Sequence, residues 1–138
     1  SLGGYMGEKI KYGVTSNGVA ADFANAMGKA HTMVWRLGMG SNGFLGDYGV
    51  IPEHQLSDDI KSKLNQETYA ILHQCAKDVE EFLRREWTLV DRFAQELVRR
   101  SELEYDDIHA IFAEYGKARE PVPIQTVTLD APPAAPGA

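Results

Sequence analysis

The sequence predicts a mainly α-helical bundle, with a glycine-rich loop or short β element between its second and third helices and a proline-rich tail. Three observations carry that expectation. Apolar residues recur at three- and four-residue spacing across residues 20–37, 57–84 and 89–98, the period of a helix with one buried face. Glycines at 38, 40, 43, 46 and 49 keep the stretch between them from being helical. All but one of the prolines lie at or beyond Pro121, where their fixed φ and missing N–H favour extended chain.

The elements follow in order. Residues 2–12, "LGGYMGEKIKY", read as a short helix, because Leu2, Met6 and Ile10 share a face and Gly13 is a natural stop. Residues 14–19 are a loop. In the second helix, over 20–37, Phe23, Met27, Ala30, Val34 and Leu37 form the inward stripe, and Gly38 supplies the stop. The strands possible in the glycine-rich stretch are "FLG" and "YGVI".

The third helix, over 57–84, is the clearest. Ser57 is its N-cap, and Asp58 and Asp59 suit the positive end of the helix dipole. Ile60, Leu64, Thr68, Ile71, Cys75, Val79 and Phe82 make its apolar stripe, with Cys75 as a small core residue. A break falls near Arg85–Trp87. The pattern resumes from Leu89 to Val98, and a last helix covers about 106–115 with Ile108, Ile111 and Phe112 inward. The domain organisation is thus a helical unit over residues 1–117 and a Pro/Ala-rich extended tail over 118–138, in which "IQTVTL" is a candidate edge strand.

Composition excludes several functions. A chain of 138 residues that is 43% hydrophobic and 25% charged is ordinary for one soluble globular domain. The net charge of −6 argues against nucleic acid and against an anionic membrane surface, since both select an excess of Lys and Arg. A single cysteine cannot form an internal disulfide, which points to a reducing compartment. No apolar run approaches the roughly 20 residues of a membrane-spanning helix, and residues 1–12 lack the apolar core of a leader. The chain starts at Ser1, so the expectation is a piece of a longer or processed protein.

The chemistry-bearing residues are few. His31, His54, His73 and His109 contain no i,i+4 pair with Glu between, so the helical zinc-protease motif His-Glu-x-x-His is missing, and each reads as a surface or boundary histidine. There is no Gly-x-Ser-x-Gly elbow, and "GMGSNG" lacks the Gly-Lys-Ser/Thr ending of a phosphate loop. Asp22 is the exception. It stands where the loop "VTSNGVA" enters the second helix, either as a cap or first-turn charge, or as a metal ligand whose partners lie elsewhere.

Several motifs taken in order resemble the FtsH family of ATP-dependent zinc metalloproteases. They are "LGGYMGEKIKYG", "VTSNGVAADFANAMGKAHTMVWRLGMG", "LSDDIKSKLNQETYAIL" and "RREWTLVDRFAQELVRRSELEYDDI". In that family a Gly-Gly-Arg-Ala-Ala-Glu-Glu-like helix precedes a Thr-Thr-Gly-Ala-x-Asn-Asp-Leu-like loop, a helix ending in Tyr/Phe-Gly-Met and a long acidic helix. Glu8 matches the first of the paired acids. The resemblance covers residues 2–115 and implies the C-terminal part of a peptidase domain. It makes Asp22 the third zinc ligand, beside two histidines of a His-Glu-x-x-His helix that would precede this chain.

The resemblance also implies ATP and magnesium in an upstream domain and a hexameric homo-oligomer acting on protein substrates. Membrane attachment would come through upstream segments, on the cytoplasmic side, with this chain itself soluble and inactive alone. Tyr5, Met6 and Gly7 stand where the family has Arg-Ala-Ala, and Ala21 where it has Asn. The alternative is therefore a catalytically inactive relative that keeps the helical scaffold for oligomerisation or partner binding.

Overall fold

The computed structural model describes residues 2–117. Five helices run in order: α1 (Leu2–Tyr12), α2 (Ala20–Trp35), α3 (Asp58–Arg85), α4 (Trp87–Arg100) and α5 (Tyr105–Glu114). The described residues contain no strand, in keeping with the mainly α class. The glycine-rich stretch between α2 and α3 is irregular loop, and the would-be strand "YGVI" is instead a single 3-10 turn over Tyr48–Val50. Its Asp47 side chain accepts from the Gly49 N–H at 2.8 Å, a local bond that competes with strand pairing. The tail expected over 118–138, with its candidate strand, lies outside the described residues.

Local signals set the helix ends. Ser57 caps α3 by accepting from the Ile60 N–H at 3.2 Å. Gly13 ends α1 in the left-handed region at φ 72°. The second helix stops at Trp35, two residues earlier than its periodicity suggests. The Leu37 N–H bonds back to the Thr32 carbonyl, and Gly38 turns the chain at φ 62°. The break near residue 86 occurs as expected, with Glu86 ending α3 and opening α4.

The bundle has two parts. In the first, α1 and α2 both pack on α3. Its core is Val34, Trp35, Leu56 and the fully buried Leu64, with Phe44, Tyr48, Ile60 and Ile71 against it. The inward face of α2 differs from the expected stripe. Ala26, Ala30 and Val34 are buried, whereas Phe23 and Met27 are 42% and 51% exposed and Leu37 lies outside the helix. Small alanines at four-residue spacing let α2 approach closely, and Phe23 rests on Tyr5 of α1, ring centroids 4.7 Å apart.

On α3 the apolar stripe beyond Leu64 continues through Thr68, Ile71, Leu72, Ala76, Val79 and Leu83, all buried or half-buried. Cys75 therefore points to solvent, not into the core. It sits one residue, about 100°, off the seam. The second part is the α4–α5 hairpin, where Leu89 and Ile111 are buried and Phe93 meets Phe112 edge to face at 5.2 Å. Lys11 of α1 reaches Asp91 of α4 at 2.7 Å and ties the parts together.

Candidate functional site

The site builds from the loop over residues 13–19. Glu8, on α1, accepts from the Ser16 backbone N–H at 2.7 Å and from the Ser16 hydroxyl at 3.0 Å. The Ser16 oxygen in turn accepts from the Gly18 N–H at 3.3 Å and caps the 3-10 turn over Asn17–Val19. That turn runs directly into α2, so one carboxylate on the first helix fixes where the second begins.

Asp22 is the third residue of α2. It does not cap the helix: the N-cap position is Val19, which offers no side-chain bond, so Asp22 is a first-turn acid. Its side chain is half-buried and makes no hydrogen bond or ion pair among the described residues. Gly4 faces it closely. A Cβ at Gly4 would stand 3.2 Å from Asp22 Oδ2, so the bare backbone there leaves the carboxylate its space.

No three His, Cys, Asp or Glu side chains converge to hold a metal ion among the described residues. Asp22 offers one oxygen donor, a fit for one corner of a tetrahedral site, and the other donors must come from elsewhere. The histidines do not supply them. All four are exposed; His31 stacks on Trp35 at 4.7 Å, and His73 bonds the Tyr69 hydroxyl at 2.7 Å.

Two positioning carboxylates escaped sequence reasoning. The spacing from Glu8 to Ser16 spans two elements, so no single-helix pattern reports it. Glu67 is not among the stripe residues expected on α3, yet it is buried and grips the glycine-rich loop, accepting from the Ser41 N–H at 2.6 Å and the Ser41 hydroxyl at 2.8 Å. The Ser41 N–H, then its hydroxyl, hold the Glu67 carboxyl below the usual range. Gly40 makes room, since a Cβ there would lie 3.1 Å from Glu67 Oε2.

No helix among the described residues is long and apolar enough to cross a membrane. The family model of peptidase family M41 matches residues 1–111. Curated relatives are similar over most of the chain. The ATP-dependent zinc metalloprotease FtsH of Thermobaculum terrenum is 27% identical over 133 residues, covering 88% of this chain and 20% of the relative. The protein of the same name from Thermotoga maritima is 26% identical over 126 residues, covering 82% and 20%. That from Aster yellows witches'-broom phytoplasma is 28% identical over 112 residues, covering 81% and 17%. The chain thus spans about a fifth of the length of these relatives. It belongs to peptidase family M41.

Proposed function

We propose, with membership of peptidase family M41 as the premise, that residues 1–117 are the helical C-terminal portion of a zinc-peptidase domain in an ATP-dependent metalloprotease. In this reading Asp22 is the third zinc ligand. The observation that supports it most is the state of Asp22: a half-buried carboxylate without a partner among the described residues, on the first turn of α2, at the position matching the family's ligand. The helix and the clamped loop before it set the backbone position of this acid and leave its carboxylate open, which suits a donor.

Zinc, when bound, supplies Lewis acidity that brings the pKa of a water ligand to about 7. The tasks of this chain's own residues are narrower. Asp22 contributes one oxygen, the α2 backbone sets its direction, Glu8 steadies the loop before it and Gly4 leaves it room. Two histidine ligands and the glutamate base belong, in this reading, to a His-Glu-x-x-His helix upstream in the natural polypeptide. An ATPase unit holding ATP and magnesium, and membrane segments, also lie upstream. Protein substrates and assembly into a homo-hexamer complete the proposal.

A second reading rests on Tyr5, Met6, Gly7 and Ala21, which depart from the family pattern beside the site. It is a catalytically inactive protease-like module for oligomerisation or partner binding. The test is the mass of the natural polypeptide, with sequenced N-terminal peptides, followed by zinc content of that polypeptide and its Asp22→Asn variant. The zinc reading expects a product several times larger carrying His-Glu-x-x-His, and loss of zinc in Asp22→Asn with an unchanged helical melt. A product of about this size overturns it in favour of the second reading, and zinc retained by the variant removes Asp22 from the ligand set.

A further inference from the structure

The α4–α5 hairpin leaves an apolar groove of about 700 Å³ against the end of α3. Phe82, Leu89, Phe93, Ile108 and Phe112 line it, and Glu86 and Lys117 stand at its edge. Phe82 is 52% exposed although it belongs to a region of packed helix, so this surface lacks cover among the described residues.

The exit of the chain bears on what covers it. After α5, Gly116 adopts φ 66°, the Gly116 N–H bonds the Ala113 carbonyl at 3.0 Å and the Lys117 N–H bonds the Phe112 carbonyl at 2.8 Å. This helix ending folds the chain back over its own last turn. The Lys117 ammonium then bonds the Glu86 carboxylate at the α3–α4 corner. The last described residue is therefore fastened to the groove's edge, and residues 118–138 start there.

The composition of the segment beyond Lys117 matches the groove. Residues 121–129, "PVPIQTVTL", are uncharged in a chain that is 25% charged, and carry Val122, Ile124, Val127 and Leu129. Pro121 and Pro123 fix φ and so lower the entropy lost on docking. Seven residues from Lys117 to Ile124 reach up to about 24 Å, more than the width of two helices packed about 8–10 Å apart. A tether this short holds its segment at an effective concentration of about millimolar.

We propose that residues 121–129 of the same chain dock into the α3–α4–α5 groove and complete the second apolar core. The inference stands apart from zinc binding, since among the described residues no residue lining the groove is hydrogen-bonded to Asp22 or its loop. The experiment is amide hydrogen exchange of residues 124–129 in the full chain, compared with a free peptide of that sequence and with the variant Ile124→Asp/Leu129→Asp. Both substitutions lie outside α1–α5, so they remove no side chain from the helices themselves. The expected result is exchange at least tenfold slower than in the peptide, independent of protein concentration. In the variant it returns to the peptide rate, with faster exchange across Tyr105–Phe112. Peptide-like exchange in the unmodified chain overturns the proposal. So does protection that grows with protein concentration, which would assign the groove to a second copy, or protection that survives the two aspartates.

Discussion

Residues 2–85 and residues 87–117 are both helical, but different forces hold them. In the first region α1, α2 and α3 close on Val34, Trp35, Leu56 and Leu64, with alanines on α2 permitting close approach. In the second, Leu89 and Ile111 are buried, Phe93 packs on Phe112, and ion pairs add to this apolar contact between α4 and α5. Arg92 bonds Glu114 at 3.1 Å and Arg100 bonds Asp107 at 2.6 Å between the helices, while Glu96 pairs with Arg92 at 2.9 Å and with Arg99 within α4. Apolar side chains do not titrate, whereas ion pairs titrate and are screened by salt. The candidate ligand Asp22 stands on α2, in the apolar region.

The largest test of this contrast is Leu64→Ala. With Leu64 at 0% exposure, the substitution should cost about 2–5 kcal/mol by lost burial and a residual cavity. Urea unfolding followed by Trp35 fluorescence measures it, and a loss below about 1 kcal/mol would mean that this core is not what holds the first region.

Next comes Glu8→Ala, which releases the loop before Asp22 without touching the carboxylate. In the full natural polypeptide, zinc affinity should fall by about tenfold or more, as for loss of a residue supporting a ligand. Glu8→Gln, which keeps one acceptor oxygen, should lose less. Equal losses would detach Glu8 from positioning.

Acid should act more strongly on the second region, although Glu67 in the first is lowered too, by Ser41. The Arg99 and Arg92 guanidiniums lower the Glu96 carboxyl from 4.5 to about 2. Its pairs therefore add stability in full above about 4.5, and that stability fades as pH falls towards 2. Asp91 and Asp107 are lowered as well, by Lys11 and Arg100 respectively. Each region holds one tryptophan, so the indole NMR signals report separately. Trp87 should respond before Trp35 as pH drops from 5 to 2, with the shift reduced in Glu96→Gln. Simultaneous change would dissolve the distinction.

The smallest effect expected is at Ser101, which ends α4 at φ 68°, a conformation costly for a side chain. Ser101→Gly should stabilise the hairpin by about 0.5–1 kcal/mol, relieved strain exceeding the added chain entropy. Thermal melting with Trp87 as probe checks it, and a fall in stability would point to a role for the hydroxyl.

Most of the fold was legible because its signals are local. Ser57, Gly13 and the break at residue 86 act within a turn of themselves, and each stands where the sequence indicates. Of the candidate site, Asp22 and its loop stood out in the sequence, but only the resemblance to a family favoured ligand over cap, because a lone carboxylate at a helix start has no distinctive period. The inward face of α2 was misassigned at Phe23 and Met27, and that of α3 at Cys75 and Phe82. Hydrophobicity ranks a phenylalanine above an alanine, but a close helix crossing selects the alanine.

The sequence by itself determined that the chain is helical, where most of its helices start and stop, and that nine uncharged residues lie among its prolines. Those properties depend on backbone conformations and side-chain periods within a few residues. Only the tertiary structure decided that Glu8 clamps the loop before Asp22, that Glu67 grips the glycine-rich loop, and that Lys117 is fastened to Glu86 beside an open groove. Each is a meeting between elements distant along the chain, and its partners are fixed by how helices cross rather than by any spacing written in the sequence.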